Sequence, residues 1–428
     1  MTDGMHDILI IGGGAAGLTA AIAARAEDPE ARVAILERNP RLARKLAATG
    51  NGRCNLSHRD CGAALYHCDD RNFIRRALEC FDEVATEVFF AGLGITLRED
   101  EQGRRYPHSE QAETVVAGLI NRARETGIEL VAEATAIAAE RISETVAGGG
   151  SGESAGGGLS SSAGSQMVGG GFRVDTAEGR SLRCRRLVLA GGGAAGLPQA
   201  IGFPVYAIAA GFGHRINKLQ PVLTQLLAVD PAIQQLRGVR CKAQLSLFAD
   251  GSLKAVEDGE LQLTDRGLSG IAIFDLSRSI KPGAKQIEIV IDLYPEWSET
   301  ALTEWIYEQR AASPERSWES LLEGMVHKKL AAWLARRYPL REPADLSRLL
   351  KGWRMSVSGC AGLDRAQVTR GGVSCREVDP VSLESRLAAE LYLVGEMLDV
   401  DGPSGGRNLQ WAWASGYLAG KAAGRREE

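Results

Sequence analysis

The residues best suited to chemistry near the start of the chain are glycines between an apolar stretch and an Ala-rich stretch. Gly12, Gly14 and Gly17 fit the spacing GxGxxG directly after Ile8–Ile11. At this spacing the first glycine allows a tight turn, the second lets the backbone approach a pyrophosphate, and the third lets helix and strand pack closely. A helix that begins here offers free N–H groups and its positive dipole end to phosphate.

An acidic residue follows at the distance that a dinucleotide fingerprint requires. Glu37 lies 20 residues after Gly17 and follows a second apolar stretch, Val33–Leu36. A carboxylate at this position accepts the ribose hydroxyls and disfavours a 2′-phosphate, hence NADP. Together these features predict a dinucleotide-binding βαβ unit. The alternative is a glycine-rich core turn with a solvated Glu37.

The same letters recur in a second glycine run, Gly191–Gly196, again after an apolar stretch. Its surroundings differ, because Pro198, Gly202 and Pro204 would interrupt a helix and no Asp or Glu follows until Asp230. The sequence therefore favours a crossover that returns the chain to the first cofactor over a second domain for NADH.

The surrounding elements indicate an α/β fold interrupted by an insert. Helical spacing is found at residues 72–94, 111–126 and 296–351. Strand patterns are found at residues 128–143, 171–176, 186–190, 243–248 and 286–291. From about residue 355 the chain returns to strand, glycine and helix. One nucleotide-binding domain with an insertion is the simplest topology.

A low-complexity segment separates two of the strand patterns. In residues 147–171, 17 of the 25 positions are Gly or Ser. Such a run buries too little apolar surface to offset its ordering entropy. We expect a mobile surface loop between two antiparallel strands, with no chemical role.

The bulk composition excludes several classes of function. A length of 428 residues suggests two or three domains. The net charge of −4 and the 6% aromatic content argue against nucleic-acid and anionic-membrane partners. The eight cysteines include no CxxC pair, and Asp3 and Asp7 precede the uncharged Ile8–Ala24 stretch. These features favour a cytoplasmic enzyme with reduced thiols over a secreted or membrane-inserted protein.

Three further segments resemble those of one bacterial flavoprotein family. They are Lys45–Asn55 (KLAATGNGRCN), Ala366–Val373 (AQVTRGGV) and Gly395–Gln410 (GEMLDVDGPSGGRNLQ). With the N-terminal motif they resemble the aminoacetone-oxidase-like or bile-acid-reductase-like FAD-dependent oxidoreductases, in the same order along nearly the whole chain. Arg105–Pro107, Glu260–Leu276 and Gly211–His214 resemble further segments of that family.

The resemblance implies FAD and a three-part body. We expect a Rossmann-like FAD-binding domain interrupted by an inserted β-barrel-like domain and a small helical domain. The expected ranges are 1–203 and 355–428 for the FAD-binding domain, 204–294 for the β-rich insert and 295–354 for the helical domain.

The resemblance also assigns roles to residues. Glu37 would take the adenosine ribose, the backbone near Ala134 would face adenine, and Asn408 and Leu409 would lie at the flavin ring. The full set expected to hold FAD is Gly12, Gly14, Ala15, Ala16, Gly17, Glu37, Arg38, Lys45, Asn51, Gly52, Arg53, Cys54, Asn55, Ala134, Ala190, Gly191, Gly192, Gly395, Glu396, Asp401, Gly405, Gly406, Asn408 and Leu409.

The chain departs from the family pattern on the side expected to face substrate. Ala190 replaces a usual Thr, Ile271 replaces a usual Pro, and the crossover from Gly193 to His214 lacks the usual Gly-rich, Tyr-containing run. These departures bear on substrate choice more than on FAD binding.

A helix is expected from Leu409 to Ala423, with Ser404 and Asn408 as candidate N-caps. Its N–H groups and dipole would point at the flavin edge that gains charge on reduction. An ordinary helix start packed on the sheet is the alternative. Gly406 is expected to allow close backbone approach to the ring.

Candidate acid–base and anion-binding groups are less specific. His214, beside the crossover, is the predicted catalytic residue, with His108 the other candidate. Arg53, Arg105 and Arg407 would hold an anionic substrate or a phosphate, or else pair with carboxylates. Cys54 lacks a partner at CxxC spacing and is expected to line the flavin pocket without thiol chemistry. No metal-ligand pattern is predicted.

These observations predict an FAD-dependent oxidoreductase that acts on a small organic substrate by hydride transfer. Two reactions stay open: reduction of a conjugated C=C bond, and oxidation of an amine or alcohol. The redox partner is NAD(P)H or oxygen. The alternatives are a nucleic-acid-modifying flavoprotein and a noncatalytic FAD-binding protein.

Overall fold

The computed structural model describes residues 4–142, 170–197 and 204–426. Within them the helices are α1 (Ala15–Glu27), α2 (Arg44–Ala47), α3 (Arg71–Cys80), α4 (Glu83–Gly92), α5 (Ala112–Glu125), α6 (Pro204–Gly211), α7 (Ile271–Ser277), α8 (Glu299–Ala312), α9 (Trp318–Glu323), α10 (Lys328–Arg337), α11 (Pro343–Lys351) and α12 (Arg407–Gly424). The strands are β1 (His6–Ile11), β2 (Val33–Leu36), β3 (Ser57–His58), β4 (His67–Cys68), β5 (Leu97–Glu99), β6 (Arg104–Pro107), β7 (Glu129–Val131), β8 (Ala136–Ile142), β9 (Gly171–Thr176), β10 (Ser181–Leu189), β11 (Ile216–Val222), β12 (Leu226–Ala228), β13 (Arg240–Ala249), β14 (Ser252–Leu263), β15 (Gly267–Ser269), β16 (Ile287–Asp292), β17 (Trp353–Cys360), β18 (Val368–Val373), β19 (Leu391–Leu393) and β20 (Val400–Asp401).

The chain divides into two compact units. Unit 1 comprises Met1–Gly193, Gly202–Lys218 and Gly371–Glu428, and unit 2 comprises Ala194–Ile201 and Leu219–Arg370. Unit 1 holds a mixed sheet with helices, and unit 2 holds a closed barrel with helices, which confirms the expected α/β class. The finer domain boundaries stay predictions.

Unit 1 is built on a sheet with strand order β7-β2-β1-β10-β9-β8, in which β19 also pairs with β10. β1 runs parallel to both β2 and β10, with Ile8 opposite Val33 and Arg186. Almost every residue of β1 and β2 is buried, as continuous apolar runs in a parallel sheet require. β8 and β9 pair antiparallel, as expected for the strands that flank the Gly/Ser segment. That segment lies almost wholly outside the described residues.

The first and last helices of unit 1 pack unusually close together. A Cβ atom on Gly416 or Gly420 of α12 would overlap the carbonyl oxygen of Ala16 or Ala20 on α1, and one on Gly424 would lie 2.7 Å from that of Ala24. Because both numberings rise together, the two helices run parallel. Their N-termini therefore point the same way.

Unit 2 contains a closed barrel with strand order β12-β15-β14-β13-β16-β17, closed by pairing of β17 with β12. Alternate residues of the predicted strands, such as Leu245, Leu247 and Ile289, are fully buried inside it. The helices α8–α11 lie in sequence between β16 and β17. Their apolar residues share one core with the barrel.

Several expected elements differ in detail. The single helix expected over 72–94 is two helices, because the Asp82 side chain accepts the N–H groups of Val84 and Ala85 and caps a new helix. Pro204, expected to break a helix, begins α6, a position where its missing N–H costs nothing. Among the described residues, no helix is long and apolar enough to cross a bilayer.

Candidate functional site

The first glycine run forms the tight turn between β1 and α1. Gly12 has φ +110°, and a Cβ there would overlap the Ala190 carbonyl oxygen. A Cβ on Gly17 would overlap the Gly12 carbonyl oxygen. A Cβ on Gly14, in contrast, would meet no atom within 4 Å. Gly12 and Gly17 thus serve internal packing, and Gly14 borders open space.

The open space at Gly14 lies at the N-terminus of α1. Gly14 is the N-cap, no side chain caps the helix, and its first turn, which includes Ala15 and Ala16, contains no acidic residue. The N–H groups of a helix start need acceptors, and anions are stabilised there. This cradle fits the pyrophosphate of a dinucleotide.

Glu37 is buried beside the turn and held by three donors. One carboxylate oxygen accepts the Gly13 N–H at 2.9 Å, and the other accepts the Asn39 N–H at 2.9 Å and its Nδ2 at 2.6 Å. A carboxylate has about four acceptor sites, so capacity for a ribose hydroxyl remains. Arg38 follows at a half-buried position. Asn39, which sequence reasoning missed, fixes the carboxylate in place.

The main chain near Ala134 is tied to the same strand end. The Ala134 N–H donates to the Glu37 carbonyl at 2.9 Å. That N–H is therefore engaged within the protein, so the expected approach to adenine would have to use other atoms of the segment.

The crossover lies directly against the first turn. β10 pairs with β1, and the Ala190 N–H donates to the Ile11 carbonyl at 2.8 Å. A Cβ on Gly191 would lie 2.8 Å from the Val205 side chain, whereas Gly192, with φ +74°, borders open space. No helix begins in residues 191–197. The second glycine run thus lies against the first turn and starts no βαβ unit within residues 191–197. Its expected return to the cofactor stays a prediction.

The Lys45–Asn55 segment forms a turn with repeated left-handed residues. Gly50, Asn51, Gly52 and Cys54 have φ between +54° and +82°. Asn51, Gly52 and Arg53 are exposed, and Cys54 is buried. Burial raises the pKa of the Cys54 thiol to about 12, so it is protonated at neutral pH. The thiol is therefore poorly suited to nucleophilic chemistry.

Lys45 and Glu396 bring this turn to the C-terminal glycine segment. The Lys45 ammonium lies 2.7 Å from the Glu396 carboxylate. Neighbouring Gly395 is held by α12, because its N–H donates to Ser415 Oγ at 2.9 Å and its carbonyl accepts Trp411 Nε1 at 3.1 Å. These contacts join three sequence-predicted segments of unit 1.

The start of α12 differs from the expected capping. Gly406 is the N-cap, and no side chain caps the helix. The Asn408 side chain instead makes two hydrogen bonds to Gly402. It accepts the Gly402 N–H and donates to the Gly402 carbonyl, each at 2.8 Å. Ser404 and Asn408 are therefore not the caps. The α12 N-terminus presents N–H groups without a capping side chain, like that of α1.

The neighbours of Gly406 show a close backbone contact within the protein, and its expected approach to the flavin ring stays a prediction. It has φ +96°, and a Cβ there would overlap the Ser57 carbonyl oxygen and press on the Asn55 side chain. The Asn55 amide is placed to donate to the Ser57 and Arg105 carbonyls and to accept the Gly406 N–H at 3.3 Å. The close approach that demands glycine is thus to the protein's own β3. Gly405, at φ +93°, and the half-buried Leu409 flank it, while Asp401 is fully buried in β20.

The two histidines predicted as acid–base candidates lie in different settings. Both ring nitrogens of buried His214 are engaged, with Glu377 at 3.1 Å and Ser385 Oγ at 2.8 Å. Burial lowers its pKa against the opposing effect of Glu377. Proton transfer by His214 would first require one of these bonds to break, and its catalytic role stays a prediction. His108 is exposed.

His58, which sequence reasoning missed, lies beside the Gly405–Gly406 turn. Its ring lies 3.2 Å from an Arg407 nitrogen and accepts the Asp60 N–H at 2.9 Å. Burial and the Arg407 charge lower its pKa. The sequence signal was its position three residues after Asn55, at the end of the glycine-rich turn.

The candidate arginines mostly have partners in the protein. Arg53 lies over the Tyr106 ring, 5.2 Å from its centroid. Arg105 lies 3.3 Å from Glu99. Arg407 donates to the carbonyls of Asp60 and Ser404, each at 2.9 Å.

Comparison with known proteins decides the family. A profile described as the HI0933-like protein Rossmann domain matches residues 6–150 and 160–422. The chain belongs to the HI0933-like family. This confirms the expected resemblance, the FAD-binding Rossmann-type fold and the class of flavin-dependent oxidoreductase.

Two curated relatives of similar length match the chain along nearly its whole length. The 3-dehydro-bile acid delta(4,6)-reductase of Clostridium scindens is 35% identical over 436 residues, covering 99% of this chain and 100% of the reductase. The ribosomal RNA dihydrouridine synthase of Escherichia coli is 27% identical, covering 96% of each chain.

Among solved structures, the fold is similar to that of 3-ketosteroid delta1-dehydrogenase from Sterolibacterium denitrificans. The TM-score is 0.50 at 12% identity, and the match covers 99% of this chain and 100% of that one. At this identity the likeness shows the fold alone.

Proposed function

We propose that this HI0933-like protein is an FAD-dependent reductase that saturates a C=C bond conjugated to a carbonyl group in a small cyclic substrate. The observation that carries the proposal is the 35% identity to a bile-acid delta(4,6)-reductase over both full lengths. The names of both curated relatives describe hydrogen added across a ring C=C bond, which favours reduction over amine or alcohol oxidation.

The cofactor is proposed to lie along the elements that unit 1 gathers. The α1 N-terminus at Gly14–Ala16 would bind pyrophosphate, and Glu37 would accept ribose hydroxyls. The Lys45–Glu396 pair would hold the Asn51–Asn55 turn beside Gly395. The N–H groups at the start of α12 would stabilise negative charge that develops on the flavin. Bound FAD would supply the hydride chemistry.

The test follows reoxidation of the reduced holoprotein without oxygen. The protein is reduced with dithionite, desalted, and mixed with a 3-oxo-4,6-diene steroid, its saturated analogue or a uridine-containing RNA. We expect the flavin absorbance to return with the diene alone, together with a product heavier by two hydrogen atoms. An unchanged reduced spectrum with the diene, in protein that still reoxidises in air, would contradict the proposal.

A second candidate is reduction of uridine in RNA, favoured by the match to two ribosomal RNA dihydrouridine synthases. The net charge of −4 argues against it, because RNA binding relies on basic surface. Reoxidation by the RNA and not by the diene would establish this candidate in place of the first.

A further inference from the structure

Two cysteines and an aspartate that the FAD site does not use meet within unit 1. Cys68 ends β4, Asp69 follows it, and Cys375 begins a short 3-10 turn after β18. The two Sγ atoms and a carboxylate oxygen of Asp69 all lie within 4.8 Å of one another. Thiolate and carboxylate in this arrangement form a donor set for a thiophilic divalent cation.

The donors are held in place by the surrounding protein. One Asp69 carboxylate oxygen accepts Ser374 Oγ at 2.5 Å and Asn217 Nδ2 at 3.1 Å, and the other accepts the Cys375 N–H at 3.0 Å. Cys68 is placed by pairing of β4 with β20, opposite Val400. Hydrogen bonds of this kind orient ligands in metal sites.

The charges around the cluster favour a cation. Asp399 is a second buried carboxylate here, and it accepts the Gly371 N–H and Asn217 Nδ2, each at 2.8 Å. Arg376 donates to the main-chain carbonyl of Asp69 at 3.2 Å, and His67 lies 3.6 Å from Asp399.

We propose that Cys68, Asp69 and Cys375 form a binding site for Zn²⁺, with a water molecule as fourth ligand. On binding, the two S–H bonds break, two Zn–S bonds form, and two protons pass to solvent. The ion would join β4 to the Cys375–Glu377 turn.

The test uses the purified holoprotein, treated with a chelator, loaded with Zn²⁺ and dialysed. We expect one zinc per chain by mass spectrometry and zinc-edge X-ray absorption with two sulfur neighbours at about 2.3 Å. Loading should release two protons per zinc at neutral pH. These readouts do not depend on flavin or on activity.

Three variants locate the site. Cys68→Ala, at a half-buried position, and Asp69→Asn should each weaken zinc binding at least about 100-fold, more than loss of an outer-shell partner costs. Cys80→Ser, on an exposed cysteine at the end of α3, is the matched control and should bind as wild type does. Flavin content reports whether each variant is folded.

The outcomes are decisive in either direction. Three results would each overturn the proposal. They are zinc bound through nitrogen and oxygen alone, unchanged zinc binding in Cys68→Ala, and no zinc retained at a free concentration of ~10 μM, since binding weaker than this is weak for a structural site. A Cys68–Cys375 disulfide in protein alkylated without reduction would also overturn it and make the pair a redox couple.

Discussion

The two GGGAAG runs share their letters and follow neighbouring parallel strands of one sheet, but they continue differently. The first leads directly into α1, whereas no helix begins in the described residues 191–197 of the second. After Gly14 the chain enters α1, and the helix start has no capping side chain. In the second run, the Ala195 N–H donates to Thr369 Oγ1 and the Gly196 N–H to the Leu363 carbonyl, each at 2.8 Å. The difference teaches that the proposed phosphate site depends on the available N–H groups of a helix start more than on glycine spacing.

The largest expected effect is a loss of FAD affinity, and it distinguishes the first glycine run from the second. Gly14→Asp would place a carboxylate in the open space proposed for pyrophosphate, at a cost of about 4 kcal/mol for charges 4 Å apart, roughly 1,000-fold in the FAD Kd. Because Asp is a favourable N-cap, the apoprotein should keep or raise its melting temperature. Flavin content and calorimetry of the apoprotein check both parts.

The matched change in the second run is Gly196→Asp. Gly196 has φ +74° and open space around a Cβ, so the cost should be about 1–2 kcal/mol of stability. Flavin content should stay at the wild-type level. Equal loss of FAD in both variants would mean that the two runs do not differ as the comparison states.

The next largest effect is expected in α12, the helix that packs against α1. Gly420→Ala would force α12 away from the Ala20 carbonyl, at a cost of about 1–3 kcal/mol in the free energy of unfolding. Lys421→Ala, on the exposed side of the same helix, is the control and should change stability by less than about 0.5 kcal/mol. Urea unfolding of both apoproteins measures this, and a stable Gly420→Ala protein would contradict the close packing.

A smaller effect on FAD affinity is expected at Glu37, the acidic residue that follows the first glycine run. Glu37→Gln keeps the shape but removes the charge that accepts Gly13 N–H and, as proposed, ribose. We expect the FAD Kd to rise about fivefold to tenfold, or roughly 1 kcal/mol. The same substitution at the exposed Glu30 should have no effect on the Kd measured by fluorescence quenching.

The smallest effect is expected for the segment before the second run. Replacing residues 149–169 by a short turn should change the stability by less than about 1 kcal/mol, since loop length enters stability logarithmically. Residues 151–159 also lie outside the two stretches that match the family profile. Large loss of flavin on deletion would show that the segment covers the cofactor.

Local patterns predicted the β1–α1–β2 unit, because each feature there depends on neighbours in sequence. The predicted β9 matches its observed bounds, Gly171–Thr176, for the same reason. What the sequence did not reveal depends on distant contacts. Gly406 needs to be glycine because of Ser57, and the start of α12 follows from that contact rather than from a capping side chain.

The candidate site shows the same division. The acid of the fingerprint was found, but Asn39 and the three donors that hold Glu37 were not, since no spacing rule describes them. The resemblance brought Lys45 and Glu396 into one set, and the structure pairs them. The Cys68–Asp69–Cys375 cluster was missed because its cysteines lie more than 300 residues apart.

The glycine stripe of α12 has a consequence for biosynthesis. Gly416, Gly420 and Gly424 fit against alanines that lie 400 residues earlier in the chain. At a translation rate of about 5–20 residues per second, α1 waits roughly 20–80 seconds for the surface that covers it. During that interval the α1 surface that α12 covers lacks its partner helix. Unit 1 therefore completes the packing of α1 only after α12 has been made.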